Sequence, residues 1–463
     1  MKQVTSMKRT PKSHPIADKT VIDKAIQFAS ELPKPKKPVV KRLLSIIGPG
    51  VITGFADDDE SGIGTYSQTG AQYGFKLLWT VLFMLPMMYV VQEMAGRIGV
   101  VTGQGIAKNI KRYYSRFLLY PLVLLLLIAN TINLGADLGA MASGTQLLVP
   151  QANFPFLVIL YAAIILVLVI FVSYKRYASI LKWICLSLVT YVITGFIIPL
   201  NWGQVLLAAI VPHIEWNFAF MFLVVGVLGT TISPYMIFWE PDEEVEEEIK
   251  AGMLPIDGDQ PKLRKGYLGK MKLDTFIGML CSEIITFFII VTTAATLHVH
   301  GITNIQTPTQ AASALQPLVH SFPHAGLLAK ILFSIGIIGI GFLAVPIFAG
   351  SSSYAIAETF GFPEGLSQTF NQAKVFYLII IASAVVGVLM NFLGINPFSA
   401  LIYTAVLNGI IAVPLIGMIL LITNNRKIMG NHTNGWLTNT IGIVTFVVMG
   451  FSAAFALYSF VHP

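Results

Sequence analysis

Apolar segments about as long as a bilayer is thick recur through almost the whole of this chain. A helix needs about 20 apolar residues to cross the hydrocarbon core. Within lipid the backbone must satisfy its own hydrogen bonds, so such segments can only be helices or closed barrels. We delimit eleven candidate spans: 44–66, 74–96, 117–147, 154–173, 181–200, 217–240, 274–297, 329–355, 375–392, 397–423 and 437–461. None shows the period-2 alternation of a barrel strand. Of the 463 residues 55% are hydrophobic and only 11% are charged, where a soluble domain carries about 25%. The expectation is an all-α polytopic membrane protein whose first partner is the lipid bilayer.

The loops alternate in basic content. Lys34, Lys36, Lys37, Lys41 and Arg42 precede the first span. Arg97, Lys108, Lys111, Arg112 and Arg116 follow the second; Lys175, Arg176 and Lys182 follow the fourth. Lys250, Lys262, Arg264, Lys265, Lys270 and Lys272 follow the sixth, and Arg426 and Lys427 the tenth. The intervening loops are nearly free of them. The positive-inside rule then places the N-terminus in the cytoplasm and the C-terminus outside a cell membrane. The first 40 residues are Lys-rich and polar, with no apolar core of a cleavable signal. Residues 1–42 read as a basic tail, in which 20–32 is either a short amphipathic helix on the inner leaflet or solvated chain. The net charge of +7 lies in this tail and the loops, so no nucleic-acid partner is implied. Cys185 and Cys281 both sit in apolar segments, which argues against a disulfide framework or thiolate cluster.

Two spans break the pattern. The first reads LLSIIGPGVITGFADDDESGIGTY, with Asp57, Asp58, Asp59 and Glu60 in its middle. Each charge there costs at least ~2.5 kcal/mol unless it faces a cavity, a partner or a cation. Ser61, Gly62 and Gly64 follow, which continue a helix poorly. The sixth span reads FLVVGVLGTTISPYMIFWEPDEEVEEEIK. Pro234 removes a backbone donor, and Gly226, Gly229, Thr230, Thr231 and Ser233 crowd before it. Five spans separate the two, so repeats of about 43–200 and 217–423 would be inverted, with 437–461 an extra helix. Interrupted helices at corresponding places of two inverted halves point to a transport site. The chemistry is carboxylates, hydroxyls and carbonyls, all hard oxygen donors that suit Mg²⁺, Ca²⁺ or Mn²⁺. That ion would be substrate; no cofactor is implied. Four consecutive acids cannot all meet one ion. An unwound stretch could converge two, with the others in a vestibule.

At these residues the chain resembles the Nramp family of divalent metal transporters, from Gly48 to about Gly430. GPGVITGFADDDESGIGTYSQTGAQYGFKLLW aligns with that family's first span, whose core reads Asp-Pro-Gly-Asn. The resemblance implies an inverted 5+5, leucine-transporter-like fold with helices one and six broken. It places Asp59 at the metal-binding aspartate and Ala56 where a carbonyl faces the metal. Glu60, Ser61 and Gly62 stand for Pro-Gly-Asn. In GTTISPYM, matched to Met-Pro-His, Thr230 takes the carbonyl-donor position, Ser233 replaces the methionine and Tyr235 the histidine. NNRKIMG at 424–430 matches the run after span ten, and Asn408 falls near a polar position that completes the ion site. The implied metal residues are thus Asp59, Ala56, Gly62, Thr230 and Ser233. Asp57, Asp58, Glu60, Tyr235, Asn408 and Asp137 are candidates for the ion path or its surroundings. Loss of the soft methionine sulfur argues against a manganese/iron preference. Asn133 and Ala136 occupy the places of two acids tied to proton movement. The pattern resembles the Nramp-related magnesium branch, implying passive uptake of a largely hydrated Mg²⁺, with Mn²⁺ accepted.

Other residues admit two readings. Asp137 either pairs within the bundle or lines the ion path. Glu283, mid-span beside Ser282, is a functional candidate with no evident partner. Glu93 and Arg97, four apart, read as a structural ion pair. The acids from Asp242 to Glu248 read as a solvated helix end, or as an inner vestibule that attracts cations. His298 and His300 read as surface residues. Two alternatives compete: a proton-coupled Mn²⁺/Fe²⁺ symporter, and a Mg²⁺-dependent intramembrane transferase. The transferase would need a second acidic pair and phosphate-binding Lys or Arg at membrane depth, and none is seen. An amino-acid transporter of the same plan would bring its carboxylate substrate against four acids, which would repel it. Not an enzyme but a divalent-cation transporter is the expectation.

Overall fold

The computed structural model describes residues 48–172, 188–254, 261, 263–319 and 324–461. The basic tail with its stretch at 20–32, the start of the fifth candidate span with Cys185, and Lys175, Arg176, Lys182 and Lys262 lie outside them. Among the described residues there is no strand. The helices are α1 (Pro49–Asp57), α2 (Glu60–Tyr73), α3 (Trp79–Thr102), α4 (Ile106–Tyr113), α5 (Arg116–Leu148) and α6 (Phe154–Phe171). Next come α7 (Val189–Ile197), α8 (Trp202–Ile210), α9 (Phe218–Thr231), α10 (Pro234–Lys250) and α11 (Tyr267–Thr293), the last continued by a π-helical turn at Ala294–His298. The chain closes with α12 (Pro308–Ser313), α13 (Gln316–Val319), α14 (Ala325–Phe360), α15 (Lys374–Met390), α16 (Pro397–Asn424), α17 (Arg426–Met429) and α18 (Trp436–Val461).

Each of the eleven candidate segments is mainly helical where it is described, with interruptions inside the first and the sixth. Among the described residues eight helical stretches are long and apolar enough to cross a membrane, α9 and α10 counting as one. Large apolar side chains such as Phe117, Phe171 and Trp436 point outward, a surface that lipid accepts and water does not. The boundaries shift where a cap decides them. The first span runs on to Tyr73, because Gly74 at φ 59° ends α2. Asparagines start several helices. Asn153, Asn217 and Asn396 each accept from an amide two or three residues on. The NNRKIMG run is built the same way: Asn425 caps α17 and Gly430 at φ 54° ends it.

Small residues let the inner helices touch. A Cβ on Gly54 would fall 2.3 Å from the Gly278 carbonyl carbon, so α1 lies directly on α11. A Cβ on Gly229 would fall 2.2 Å from Ala405 O, so α9 lies as closely on α16. The N-terminus of α1 has no side-chain cap of its own. Asp274 of α11 supplies one, accepting from Gly48 N at 2.8 Å and Gly50 N at 2.9 Å.

The structure corrects one expectation about the acids after span six. Asp242, Glu243, Glu244, Glu246 and Glu248 are buried, not solvated. Helix α10 does not emerge from the bundle; it packs against α3 and α14 along its length. The Glu93–Arg97 pair forms as expected, Arg97 Nε lying 2.9 Å from Glu93 Oε1. Lys272 joins Glu93 at 3.0 Å, and Arg97 donates to His432 O and Asn434 Oδ1.

Candidate functional site

Both broken helices are present, and local chemistry explains each. Helix α1 stops at Asp57. Asp58 leaves the helical region (φ −82°, ψ 45°) and Asp59 is extended (φ −62°, ψ 178°). Asp59 then caps α2: its Oδ1 accepts from Gly62 N at 2.7 Å and Ser61 Oγ at 2.6 Å. An aspartate cap satisfies free amides and suits the positive end of a helix. In the sixth span α9 stops at Thr231, Ile232 and Ser233 are non-helical, and Pro234 opens α10. Ser233 Oγ donates back to Gly229 O at 2.9 Å and Thr230 O at 2.5 Å.

The two breaks meet. Ser61 Oγ lies 3.2 Å from Thr230 Oγ1, and Tyr66 OH lies 2.8 Å from Thr231 Oγ1. Tyr235 OH donates to Ala56 O at 3.0 Å. The residues matched to the metal site therefore converge, in differing roles. Asp59 presents a buried Oδ2 with no hydrogen-bond partner. Thr230 brings its hydroxyl to the same place. Gly62 contributes an N–H to Asp59 and room beside Thr230, where an added Cβ would come within 3.3 Å of Oγ1. The Ala56 and Thr230 carbonyls already accept one hydrogen bond each, leaving one lone pair apiece. Asn408, on the stretch of α16 that packs against Gly229, pairs with Asn133, whose Nδ2 donates to its Oδ1 at 2.9 Å.

The four acids point to different helices. Asp57 Oδ2 accepts from Ser282 Oγ at 2.6 Å. Asp58 Oδ1 accepts from Ser282 and Thr286, both at 3.3 Å. Glu283 sits electrostatically close to Asp57 and Asp58, which gives that glutamate its missing neighbours. Glu60 turns the other way, toward Asp137 of α5 and Gly341 of α14. Sequence reading flagged Glu283 but not Ser282 and Thr286 as hosts for the acids; the signal was the polar i, i+4 pair on one face of α11. All six carboxylates, Asp57, Asp58, Asp59, Glu60, Asp137 and Glu283, are buried to 3% exposure or less. Among the described residues no Lys, Arg or His forms an ion pair with any of them. Nor do any three His, Cys, Asp or Glu close round one point as an ion cage. An ion at Asp59 would draw its other donors from hydroxyls, carbonyls and retained water.

Cys281 is a free thiol. His298 is not incidental: its Nδ1 lies 2.8 Å from Ala71 O and ties the π turn to α2.

With this geometry in view, the comparisons with known proteins are consistent. The sequence model of the family described as "Natural resistance-associated macrophage protein-like" matches residues 50–459. The divalent metal cation transporter MntH of Yersinia pestis (strain Pestoides F) is 26% identical over 430 residues, covering 90% of this chain and 96% of that protein. The MntH of Klebsiella pneumoniae is 26% identical over 416 residues, covering 88% and 92%. Among solved structures, the Eremococcus coleocola manganese transporter superposes with a TM-score of 0.68 at 16% identity, over 91% of this chain and 88% of that one. MhsT in complex with L-phenylalanine superposes at 0.57 and 10% identity, over 89% and 98%. At those identities the structures speak for the fold alone, which is the leucine-transporter-like one expected.

Proposed function

The chain belongs to the Nramp family, and we propose that it carries divalent metal cations across the membrane through the site where its two broken helices meet. One observation carries the reading: six buried carboxylates lie about the breaks, and among the described residues no cationic side chain pairs with any of them. Uncompensated charge at membrane depth is too costly to keep unless a cation or protons visit it. Asp59 is the principal ligand, with Thr230, Ser61 and the remaining lone pairs of Ala56 O and Thr230 O around it. Transfer across the membrane is the reading; no bond-making chemistry is invoked.

We further propose that the ion is hard and partly hydrated, Mg²⁺ with Mn²⁺ accepted. The groups within hydrogen-bond distance of the Asp59 carboxylate are the Ser61 hydroxyl and the Gly62 amide, with the Thr230 hydroxyl beside Ser61, and by the resemblance Ser233 stands where a thioether would. Mg²⁺ keeps several of its waters and takes one or two carboxylates, which fits a site with no cage of three acids. The N-terminus is cytoplasmic and the C-terminus outside, on the alternation of basic loops. The inverted halves are about 43–200 and 217–423, with 437–461 an addition.

A second reading has its own support. Glu60 and Asp137 lie against each other, and two carboxyls in contact share a proton or hold a cation between them. That pair would serve a proton-coupled symporter of Mn²⁺ or Fe²⁺. Proteoliposomes separate the two: Mg²⁺, Mn²⁺ and Ca²⁺ uptake is measured in parallel with internal pH. Mg²⁺ and Mn²⁺ should enter with no matching acidification. Absence of uptake of all three ions would overturn the transport reading; stoichiometric acidification would favour the symporter.

A further inference from the structure

A second group of buried acids lies away from the breaks. Helix α10 carries Asp242 eight residues beyond Pro234, about 12 Å along its axis at 1.5 Å per residue. There it enters a cavity of about 750 Å³ lined also by Gly105, Lys108, Glu246, Glu358 and Glu364. Asp242 and Glu358 aim at one point: a Cβ built on Gly105 would lie 2.1 Å from Asp242 Oδ1 and 2.6 Å from Glu358 Oε1. Asp242 is 4% exposed, and its Oδ2 has no hydrogen-bond partner. Glu364 Oε2 is likewise buried and unpartnered.

The protein supplies hydrogen bonds to part of this group and leaves the rest open. Glu358 accepts from Gly105 N at 2.7 Å and Lys108 N at 3.0 Å, at the start of α4. Glu246 is satisfied by Leu366 N at 2.6 Å and by Tyr354 OH, with Lys250 at 3.6 Å from its Oε2. Lys108 is near enough for its charge to act on Glu358 and Glu364, but it forms no ion pair with any of the four acids. Two carboxylates this close repel unless a proton or a cation lies between them.

We propose that Asp242 and Glu358, with Glu364 reaching in through water, form a second divalent-cation site in this cavity, at the inner mouth of the bundle. The word "inner" alone rests on the orientation proposed above; the site itself does not depend on the reading of Asp59. Two carboxylates and an open, water-sized remainder are the donor set that Mg²⁺ and Mn²⁺ take. An ion here links α10, α14, the loop after α14 and, through Glu358, the first turn of α4. It stands on the helix that leads directly from the break.

The test is a count of Mn²⁺ bound to the full-length protein in detergent, by equilibrium dialysis. The wild type should hold two ions per chain and Asp59→Ala one. Adding Asp242→Asn to Asp59→Ala should remove the remaining ion, and adding Glu364→Gln instead should weaken it at least tenfold. Glu364 sits in a loop, so that variant serves where Asp242→Asn fails to elute as a single species. The proposal is overturned if Asp59→Ala binds no Mn²⁺, or if its residual binding is unchanged by Asp242→Asn and by Glu364→Gln. Two ions retained by Asp59→Ala would instead refute the central site, and Asp242→Asn in the wild-type background would then decide this one.

Discussion

Replacing Asp59 by asparagine separates the helix cap that Asp59 forms from the ion binding proposed for it. As a cap, asparagine is as good as aspartate. Its amide oxygen can still accept from Gly62 N and Ser61 Oγ, which lie 2.7 and 2.6 Å from Oδ1. The break should therefore survive, with stability changed by no more than a few tenths of a kcal/mol. What disappears is the negative charge, and the free Oδ2 becomes an N–H₂ donor facing the ion's position. A unit charge pair about 4 Å apart is worth about 4 kcal/mol at an effective dielectric of about 20. A divalent ion doubles the attraction, and its retained waters and the cost of dehydration return a large part. A net loss of about 2–4 kcal/mol corresponds to about 30- to 700-fold in Kd. The assay is Mn²⁺ binding to the purified variant together with Mg²⁺ and Mn²⁺ uptake in proteoliposomes. Asp57→Asn is the internal contrast. Asp57 bonds Ser282 of α11 and not Thr230, so its loss should weaken binding by less than about tenfold. An Asp59→Asn protein that binds within threefold of the wild type refutes the assignment. So does an Asp57→Asn protein that is the worse of the two.

Three further outcomes follow from the same geometry. Ser233→Met removes the hydroxyl that donates to Gly229 O and Thr230 O and adds a soft donor; the Mn²⁺:Mg²⁺ uptake ratio should rise by about tenfold, and an unchanged ratio counts against the hardness argument. Gly54→Val drives a side chain into the Gly278 backbone 2.3 Å away, an overpacking worth about 1–3 kcal/mol or more; its unfolding midpoint should fall, whereas Gly269→Val, with nothing within 4 Å, should leave it unmoved. Glu60→Gln removes the nearer of the two acids, Glu60 and Asp59, that act on Asp137; Mg²⁺ uptake should continue without proton movement, and if wild-type acidification exists and vanishes in this variant, the symport reading gains.

The breaks were legible in the sequence because they rest on local chemistry. A proline after Thr-Thr-Ile-Ser and an aspartate before Ser-Gly dictate a stop and a start whatever the rest of the protein does. The destinations of the acids were not legible. Asp57, Asp58 and Glu60 are adjacent in the chain, yet α11 receives two and α5 with α14 the third. That sorting depends on which helices surround the break. Hydroxyls at 282 and 286 read as ordinary polar residues until the packing puts them against Asp58. The acids from Asp242 to Glu248 misled for a related reason. Their composition is that of a solvated helix end, and only the close contact of α10 with α3 and α14 buries them. Outside the spans, burial and then the nearby Glu358 push the Glu364 carboxyl up to about 9, a sign of crowded acids that no reading of isolated residues would give.

The distribution of the acids also bears on how an ion moves through. Asp59 is fully buried, so the arrangement seen here is closed and the helices must shift for an ion to enter or leave. Helix α1 lies directly on α11 through Gly50 and Gly54, and three sets of polar contacts fasten it: Asp274 at its first amides, Tyr235 at Ala56 O, and Ser282 at Asp57. Each joins α1 to α10 or α11, while α2 beyond the break is tied to α9 through Ser61 and Tyr66. The break thus divides the first span into two pieces that share α11, which α2 meets at Gly70, but differ in their other partners, and that are joined only through Asp58 and Asp59. A cation at Asp59 relieves repulsion among Asp57, Asp58, Asp59 and Glu60, whose carboxyls are fastened to both sets of helices. Ion occupancy is therefore linked to the packing of both pieces at once. A lone acid on an unbroken helix could bind the ion but would lack that leverage; the extra acids make the helices answer to the ion.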